Sequence, residues 1–271
     1  QSISEDSGLY GKGLKKGDII THFAPTIVAV LLPTVNYDTA ASQIKVTDEA
    51  LYLYADKAAL AAGLKEICFT DHIDYFVNVD KQTWIFDQQV YSDNYDYLTH
   101  PTIKIRRGME FGLKPYNAEQ LAIDAKKRDY DFILGSVHFV NEADPYEPSY
   151  WSSISLEEAE IQYLEETLKC VQHHDGYDVL GHLKCKGHPT HQNIDLNKYR
   201  DIVEEIFKTI IAKGKGIEVN TSGKDRCGDY LPGMDYVRLY KELGGEIITI
   251  GSDAHTADRV GQYSHEVAAL L

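Results

Sequence analysis

A chain of 271 residues, 43% hydrophobic and 25% charged, can fold as one large barrel or two small domains and has the makeup of an ordinary globular protein. Its 27 Lys and Arg against 42 Asp and Glu leave a formal net charge of −15, which argues against a nucleic-acid surface because phosphate backbones need a basic footprint. An anionic small substrate stays possible where bound divalent cations reverse the local field, and no apolar run approaches the roughly 18 residues of a membrane span.

In chain order, the earliest histidine is His22, in Gly17-Asp18-Ile19-Ile20-Thr21-His22-Phe23. The apolar run Ile27 to Leu32 is too short for a signal peptide and lacks a basic leader, so it reads as a buried strand. Thr47 can cap a helix with Asp48 and Glu49 in its first turn and Leu51, Ala55, Ala58 and Ala62 on one face, stopped by Gly63. The strand-like Lys65 to Phe69 leads into Thr70-Asp71-His72, and Ile103 to Arg107 leads into Gly108-Met109-Glu110. A short helix is expected from Asn117 to Lys127. Phe132 to Gly135 then leads into Ser136-Val137-His138. Ser155-Leu156-Glu157-Glu158 is a capping box, followed by Ile161, Leu164 and Leu168 at helical spacing. Tyr177 to Leu180 ends at Gly181-His182. Asp195 to Lys213 presents Tyr199, Ile202, Ile206 and Ile210 and stops at Gly214, and a further helix from Gly233 to Leu243 stops at Gly244. Ile247 to Gly251 leads into Ser252-Asp253-Ala254-His255. This alternation predicts one domain built on a parallel sheet, closed into a barrel of about seven or eight strands.

Imidazoles and carboxylates after successive strands are the donors that zinc, manganese or iron require, and strand ends of a wound α/β fold converge on one face. One histidine at a strand end is more often structural than ligating. The joint occurrence of His72, Glu110, His138, His182 and the Asp253/His255 pair points to metal. Residues two apart on a strand share a face, so Asp253 and His255 are expected to point into one site. His173 and His174, at the end of a long helix, read as surface; His188 and His191 read as loop surface, and His100 and His265 as structural or exposed. Cys68, Cys170, Cys185 and Cys227 show no CxxC pairing and read as free thiols in a reducing compartment, which predicts a cytoplasmic protein. Cys68 is expected in the core.

The order TDH, G-x-E, SVH, GH, E-x-N-T-S-G and SDAH, with phrases such as Ile217-Glu218-Val219-Asn220-Thr221-Ser222-Gly223, resembles the PHP (polymerase and histidinol phosphatase) superfamily, and within it the histidinol-phosphatase branch. The match covers roughly Thr47 to Leu271. The resemblance implies a distorted TIM-like (β/α)7 barrel over residues 1–271, with 1–46 as an atypical N-terminal segment. It also implies two or three divalent metals (Zn, Mn or Fe) at the C-terminal strand ends. Carried over, Glu110 would bridge two metals and Asp253 would complete the first. His138 and His182 would hold the second with Glu110, and His72 and His255 would belong to the third. Glu110, Asp253 and His255 are the implied catalytic residues, and Glu218 is mostly supportive.

The sequence departs from the family at the first motif, normally an H-x-H strand. In one alignment Ile20 replaces the first histidine and His22 is the second; in another His22 is an additional histidine serving the third metal. Isoleucine cannot ligate. Where the family is thought to hold phosphate with arginines, this chain offers Lys184, Lys186, Lys224 and Arg226, of which Lys186, Lys224 and Arg226 are the expected phosphate contacts. The activity implied is hydrolysis of L-histidinol phosphate to L-histidinol and phosphate, in histidine biosynthesis, by water activated on bound metals. The partner expected is a small phosphorylated substrate, with no nucleic acid and no membrane. Two other readings stay open: a PHP phosphoesterase of other substrate, and an inactive PHP barrel acting as a binding protein.

Overall fold

Seven parallel strands close on themselves because the first pairs with both the second and the last. In the computed structural model, which describes residues 26–29, 58–75, 84–85, 101–145, 148–152, 154–183, 196–255 and 257–271, β1 (Thr26–Ala29) lies between β2 (Glu66–Asp74) and β8 (Ile248–Gly251). From β2 the barrel continues through β4 (Lys104–Gly112), β5 (Phe132–Ser136), β6 (Val179–Leu180) and β7 (Gly216–Asn220) to β8. The short β3 (Trp84–Ile85) adds to β2 antiparallel, outside the parallel ring. This is the distorted TIM-like barrel that the strand-helix alternation and the resemblance predicted.

The pairing register decides which side chains look inward. Cys68 pairs with Arg106, Glu110 with Leu134, Leu134 with Val179, and Glu218 with Thr249. With side chains alternating at period two, Cys68, Leu134 and Val179 share the barrel interior and, with Phe132, form a small buried cluster of their own. Cys68 is core, as expected. The opposite faces supply Ile73, Met109, Phe111, Ile217, Val219 and Ile250 to the larger core under the helices. At the N-terminal strand ends, Arg106 Nε donates to Glu66 Oε1 at 2.5 Å and its Nη1 to Asp131 Oδ1 at 3.0 Å, joining the starts of β2 and β4.

Two strands outrun the sequence reading. Its motifs were placed after the apolar runs, yet β2 continues through His72 to Asp74 and β4 through Glu110 to Gly112. The cause is their mutual pairing, which runs unbroken from Glu66 opposite Lys104 to Ile73 opposite Phe111. Such cross-strand support holds polar residues in extended backbone that their own propensities would leave as loop.

The helices follow the sequence expectations more closely. They are α1 (Ala118–Ala125), α2 (Pro148–Ser152), α3 (Leu156–His173), α4 (Arg200–Ala212), α5 (Gly223–Cys227), α6 (Met234–Glu242) and α7 (Ser264–Leu270). At the start of α3, Ser155 Oγ accepts the Glu158 N–H, and Glu158 Oε2 accepts the Ser155 N–H at 3.0 Å, completing the capping box. After α4 and α6 the chain turns at Gly214 (φ +70) and Gly244 (φ +92), left-handed conformations that glycine adopts without a Cβ clash. Packing of α3, α4 and α6 buries Leu164, Val171, Ile206, Phe207, Ile210 and Tyr240, with the Phe207 and Tyr240 rings edge-on at 5.4 Å. The Thr47 helix start, His22, His100, Lys184, Cys185, Lys186, His188 and His191 lie outside the described residues. No described helix is long and apolar enough to cross a membrane.

One expectation is corrected here. His174 was read as surface, but it is fully buried: as the C-cap of α3 it donates from Nε2 to the Lys114 carbonyl at 2.8 Å, tying the helix end to the loop after β4. The helix end packs inward, a fact that the macrodipole pattern does not carry. His173 is exposed, as read.

Two predictions follow from these local features. Ser155→Ala removes an N-cap and should lower stability by about 1 kcal/mol in urea unfolding. Burial, reinforced by Lys213 and His173, outweighs the hydrogen bond to Lys114 and holds the pKa of His174 below the ordinary histidine value of 6.5. Below about pH 6.5 the unfolded chain therefore binds a proton that folded His174 resists, so stability falls as pH falls through that window. Urea midpoints at pH 7.5 and 5.5 should differ less in His174→Gln than in the wild type.

Candidate metal centre

Glu110 on β4, 1% exposed, is the centre of the cluster. Its Oε1 lies 3.1 Å from His138 Nε2 and 3.2 Å from His182 Nε2, and those two nitrogens lie 3.3 Å apart. Bonds of about 2.0–2.1 Å to one tetrahedral zinc would set ligand atoms about 3.3 Å apart, so these three atoms have nearly the spacing of a coordination face. The other oxygen, Oε2, faces His72 Nε2 at 3.4 Å. Glu110 thus presents one oxygen to each of two imidazole groups, a geometry that fits a carboxylate between two cations.

The positions come from the strands. His72 pairs directly with Glu110 across β2 and β4, His138 follows two residues after the end of β5, and His182 two residues after β6. The His182 N–H donates to Glu218 Oε2 at 2.8 Å, and Glu218, inside the barrel on β7, is completely buried.

The sequence reading missed Asp74. It is two residues beyond His72 on the same face of β2, 1% exposed, and its Oδ1 accepts from His138 Nδ1 at 2.8 Å while its Oδ2 accepts from His72 Nδ1 at 2.9 Å. The signal was present as His72-x-Asp74, legible only once the strand is known to run through the motif. Gly112 makes room for it: a Cβ there would stand 1.9 Å from Asp74 Oδ1.

Charge is concentrated in this cluster. Burial alone would raise the carboxyl pKa values, but His72, His138 and His182 outweigh it at Glu110, and His138 and His72 outweigh it at Asp74, so both are held well below the ordinary range. Burial likewise opposes a proton on His138, yet Asp74 and Glu110 push it up to about 10, and His72 is raised in the same way, chiefly by Glu110 and Asp74. Without metal, protons on the imidazoles balance the buried carboxylates. Glu110 Oε1 with the Nε2 atoms of His138 and His182 makes a buried trio that suits one divalent cation, and Oε2 with His72 Nε2 faces a second position.

Asp253 and His255 form a second group. Both lie beyond the end of β8, where Asp253 takes a left-handed conformation (φ +48), so strand alternation does not align them as expected. They meet nonetheless, His255 Nε2 lying 3.2 Å from Asp253 Oδ1 with His255 39% exposed. Ser222 Oγ is 3.2 Å from Asp253 Oδ2 and 2.6 Å from Asn220 Oδ1, and Asn220 Nδ2 donates to Glu218 Oε2 at 3.3 Å. This polar chain runs from Asp253 to the carboxylate that holds the His182 backbone. Neither Asp253 nor His255 joins a described cluster of three ligand atoms within 4.8 Å of one another.

Of the expected phosphate contacts, Lys224 Nζ donates to Glu266 Oε1 at 2.8 Å and lies 4.9 Å from the centroid of the Tyr230 ring. Arg226 is exposed on α5 and makes no ion pair among the described residues. Lys186, like His22, lies outside the described residues. The described part of β1 contains no histidine: it begins at Thr26, four residues after His22.

Comparison with known proteins agrees with this architecture. The histidinol-phosphatase of Lactococcus lactis subsp. lactis is 31% identical over 218 residues, covering 79% of this chain and 81% of that protein. The crystal structure of histidinol phosphate phosphatase from the same organism, complexed with zinc, L-histidinol and phosphate, superposes with a TM-score of 0.67 at 25% identity, over 80% of this chain and 85% of that one. A Listeria monocytogenes structure at 16% identity and TM-score 0.64, covering 89% of this chain and 98% of its own, shares the fold. The model of the PHP domain matches residues 54–222, more than half of the sequence, and the chain therefore belongs to the PHP domain family.

Proposed function

We propose that this chain is a metal-dependent phosphomonoesterase that hydrolyses L-histidinol phosphate to L-histidinol and phosphate, a step of histidine biosynthesis. The observation that carries the reading is Glu110, buried with one oxygen toward His138 and His182 and the other toward His72, in a chain 31% identical to a histidinol-phosphatase. The crystal structure similar to this one holds zinc, L-histidinol and phosphate, which supports the same substrate here.

We assign two or three divalent cations (Zn, Mn or Fe) to the cluster. Glu110, His138 and His182 would hold one, Glu110 and His72 would face the next, and Asp253, with His255 behind it, and His22 would complete the set. Such cations would supply Lewis acidity, neutralising phosphate oxygens and acidifying the attacking water. The chain's own residues do the rest. Glu110 stays anionic between its imidazoles. His255, partly exposed and bonded to Asp253, gives a proton to the leaving alkoxide, and Asp253 orients it. Arg226, exposed on α5 and without an ion pair among the described residues, takes the phosphate first; Lys224 contributes once released from Glu266, and Lys186 is the third contact. One PHP barrel spans residues 1–271 in this reading. A cytoplasmic place is supported by three described cysteines that are free thiols.

A second reading, a barrel that binds without turnover, is favoured by the described part of β1, which lacks the family's histidines. Phosphate release from L-histidinol phosphate by protein reconstituted with Zn2+, Mn2+ or Fe2+ separates the two. Turnover well above background, falling about 100-fold or more together with metal content in Glu110→Ala, is expected. No turnover with any metal would leave the binding-protein reading. Arg226→Ala should raise KM about tenfold with a smaller change in kcat, the pattern of a lost phosphate contact.

A further inference from the structure

We infer that Asp74 is a positioning residue that sets the ring protons of both His72 and His138, so that one carboxylate prepares the imidazoles on both sides of Glu110. The inference rests on the metal-centre reading above and extends it to a residue that carries no ligand role there.

The geometry leaves little freedom. An ionised carboxylate only accepts hydrogen bonds. Asp74 Oδ1 takes the Nδ1 side of His138 at 2.8 Å and Oδ2 the Nδ1 side of His72 at 2.9 Å. Each Nδ1 must then carry a proton, and the lone pair available to a metal is on Nε2. Both Nε2 atoms face Glu110, His138 toward Oε1 at 3.1 Å and His72 toward Oε2 at 3.4 Å. The ring centroids, 4.9 Å apart at an interplanar angle of 33°, fan out from the shared anion. Carboxylates behind ligating histidines fix their tautomer and orientation in this way, usually one for each histidine; here a single side chain serves two.

Asp74 with the two Nδ1 atoms is itself a possible ligand set, but its 2.8 and 2.9 Å separations are hydrogen-bond lengths, shorter than the edge of about 3.3 Å between ligands of one tetrahedral zinc. Strand β4 is built to receive the carboxylate. Glu110 and Gly112 are two apart on one face, and the missing side chain at Gly112 is the space that Asp74 Oδ1 occupies.

The test is Asp74→Asn in the full chain. Asparagine keeps the shape but offers one oxygen and one NH2, so only one imidazole keeps an acceptor at Nδ1. Hydrogen-bonded Nδ1–H resonances, assigned through His72→Gln and His138→Gln, are read by NMR in zinc-free and zinc-loaded protein, beside zinc affinity and stoichiometry. Wild type should show two such resonances and Asp74→Asn no more than one, with zinc affinity reduced about 10–100-fold. Gly112→Ala, which leaves every donor in place and displaces Asp74, should give the same two losses. Both resonances and the zinc affinity unchanged in Asp74→Asn would overturn the inference. Loss of one whole zinc equivalent with both resonances intact would make Asp74 a ligand and overturn it equally. A wild type that shows both resonances but fails to hydrolyse L-histidinol phosphate would defeat the phosphatase reading alone.

Discussion

The parallel register of β2 against β4 is the constraint on which the site depends. Eight consecutive residue pairs, from Glu66 opposite Lys104 to Ile73 opposite Phe111, bring His72 level with Glu110 on the inner face. A slip of one residue would turn Ile73 inward and His72 out, because side chains alternate at period two. The outer faces enforce the register: Ile73, Met109 and Phe111 are fully buried, and burying each such side chain is worth about 1.5–3 kcal/mol. Apolar packing outside the barrel thus fixes polar geometry inside it.

That polar geometry is costly unless it is complete. Glu110, Asp74 and Glu218 are carboxylates at 0–1% exposure, and an isolated buried charge is tolerated only when paired and hydrogen-bonded. Glu110 and Asp74 are engaged at both oxygens and Glu218 at Oε2. Glu110 has three imidazoles, Asp74 two, and Glu218 the His182 N–H and the Asn220 amide. The imidazoles that balance the carboxylates are the groups that would bind a cation in place of their protons, so the arrangement serves both the folded state and metal uptake. Glycine has a part in this economy, since Gly112 leaves space for Asp74 and Gly251 for Glu218.

The mouth of the barrel is organised by contacts of longer range. Asn220, Ser222 and Asp253 form a hydrogen-bonded chain between the loops after β7 and β8. Lys224 and Tyr230 both reach Glu266 on α7, and Asp225 accepts from Arg259, Gln262 and Tyr263. The C-terminal segment is thereby pinned to α5, the helix that carries Arg226, which gives that exposed cation a fixed base.

Much of this was legible in the sequence. Apolar runs and period-3.6 patterns located the strands and helices, the Ser155–Glu158 capping box and the glycine stops marked helix ends, and histidines and carboxylates at successive strand ends named the cluster. Those signals are local: each reports one face or one terminus of one element. Tertiary structure decided what depends on partners far along the chain. Pairing carried β2 and β4 through their motifs and made Asp74 part of the cluster, helix packing buried His174, Glu266 engaged Lys224, and a left-handed turn at Asp253 joined it to His255 without strand alternation. A sequence window records which groups a strand can present, and only the register between strands records which groups they meet.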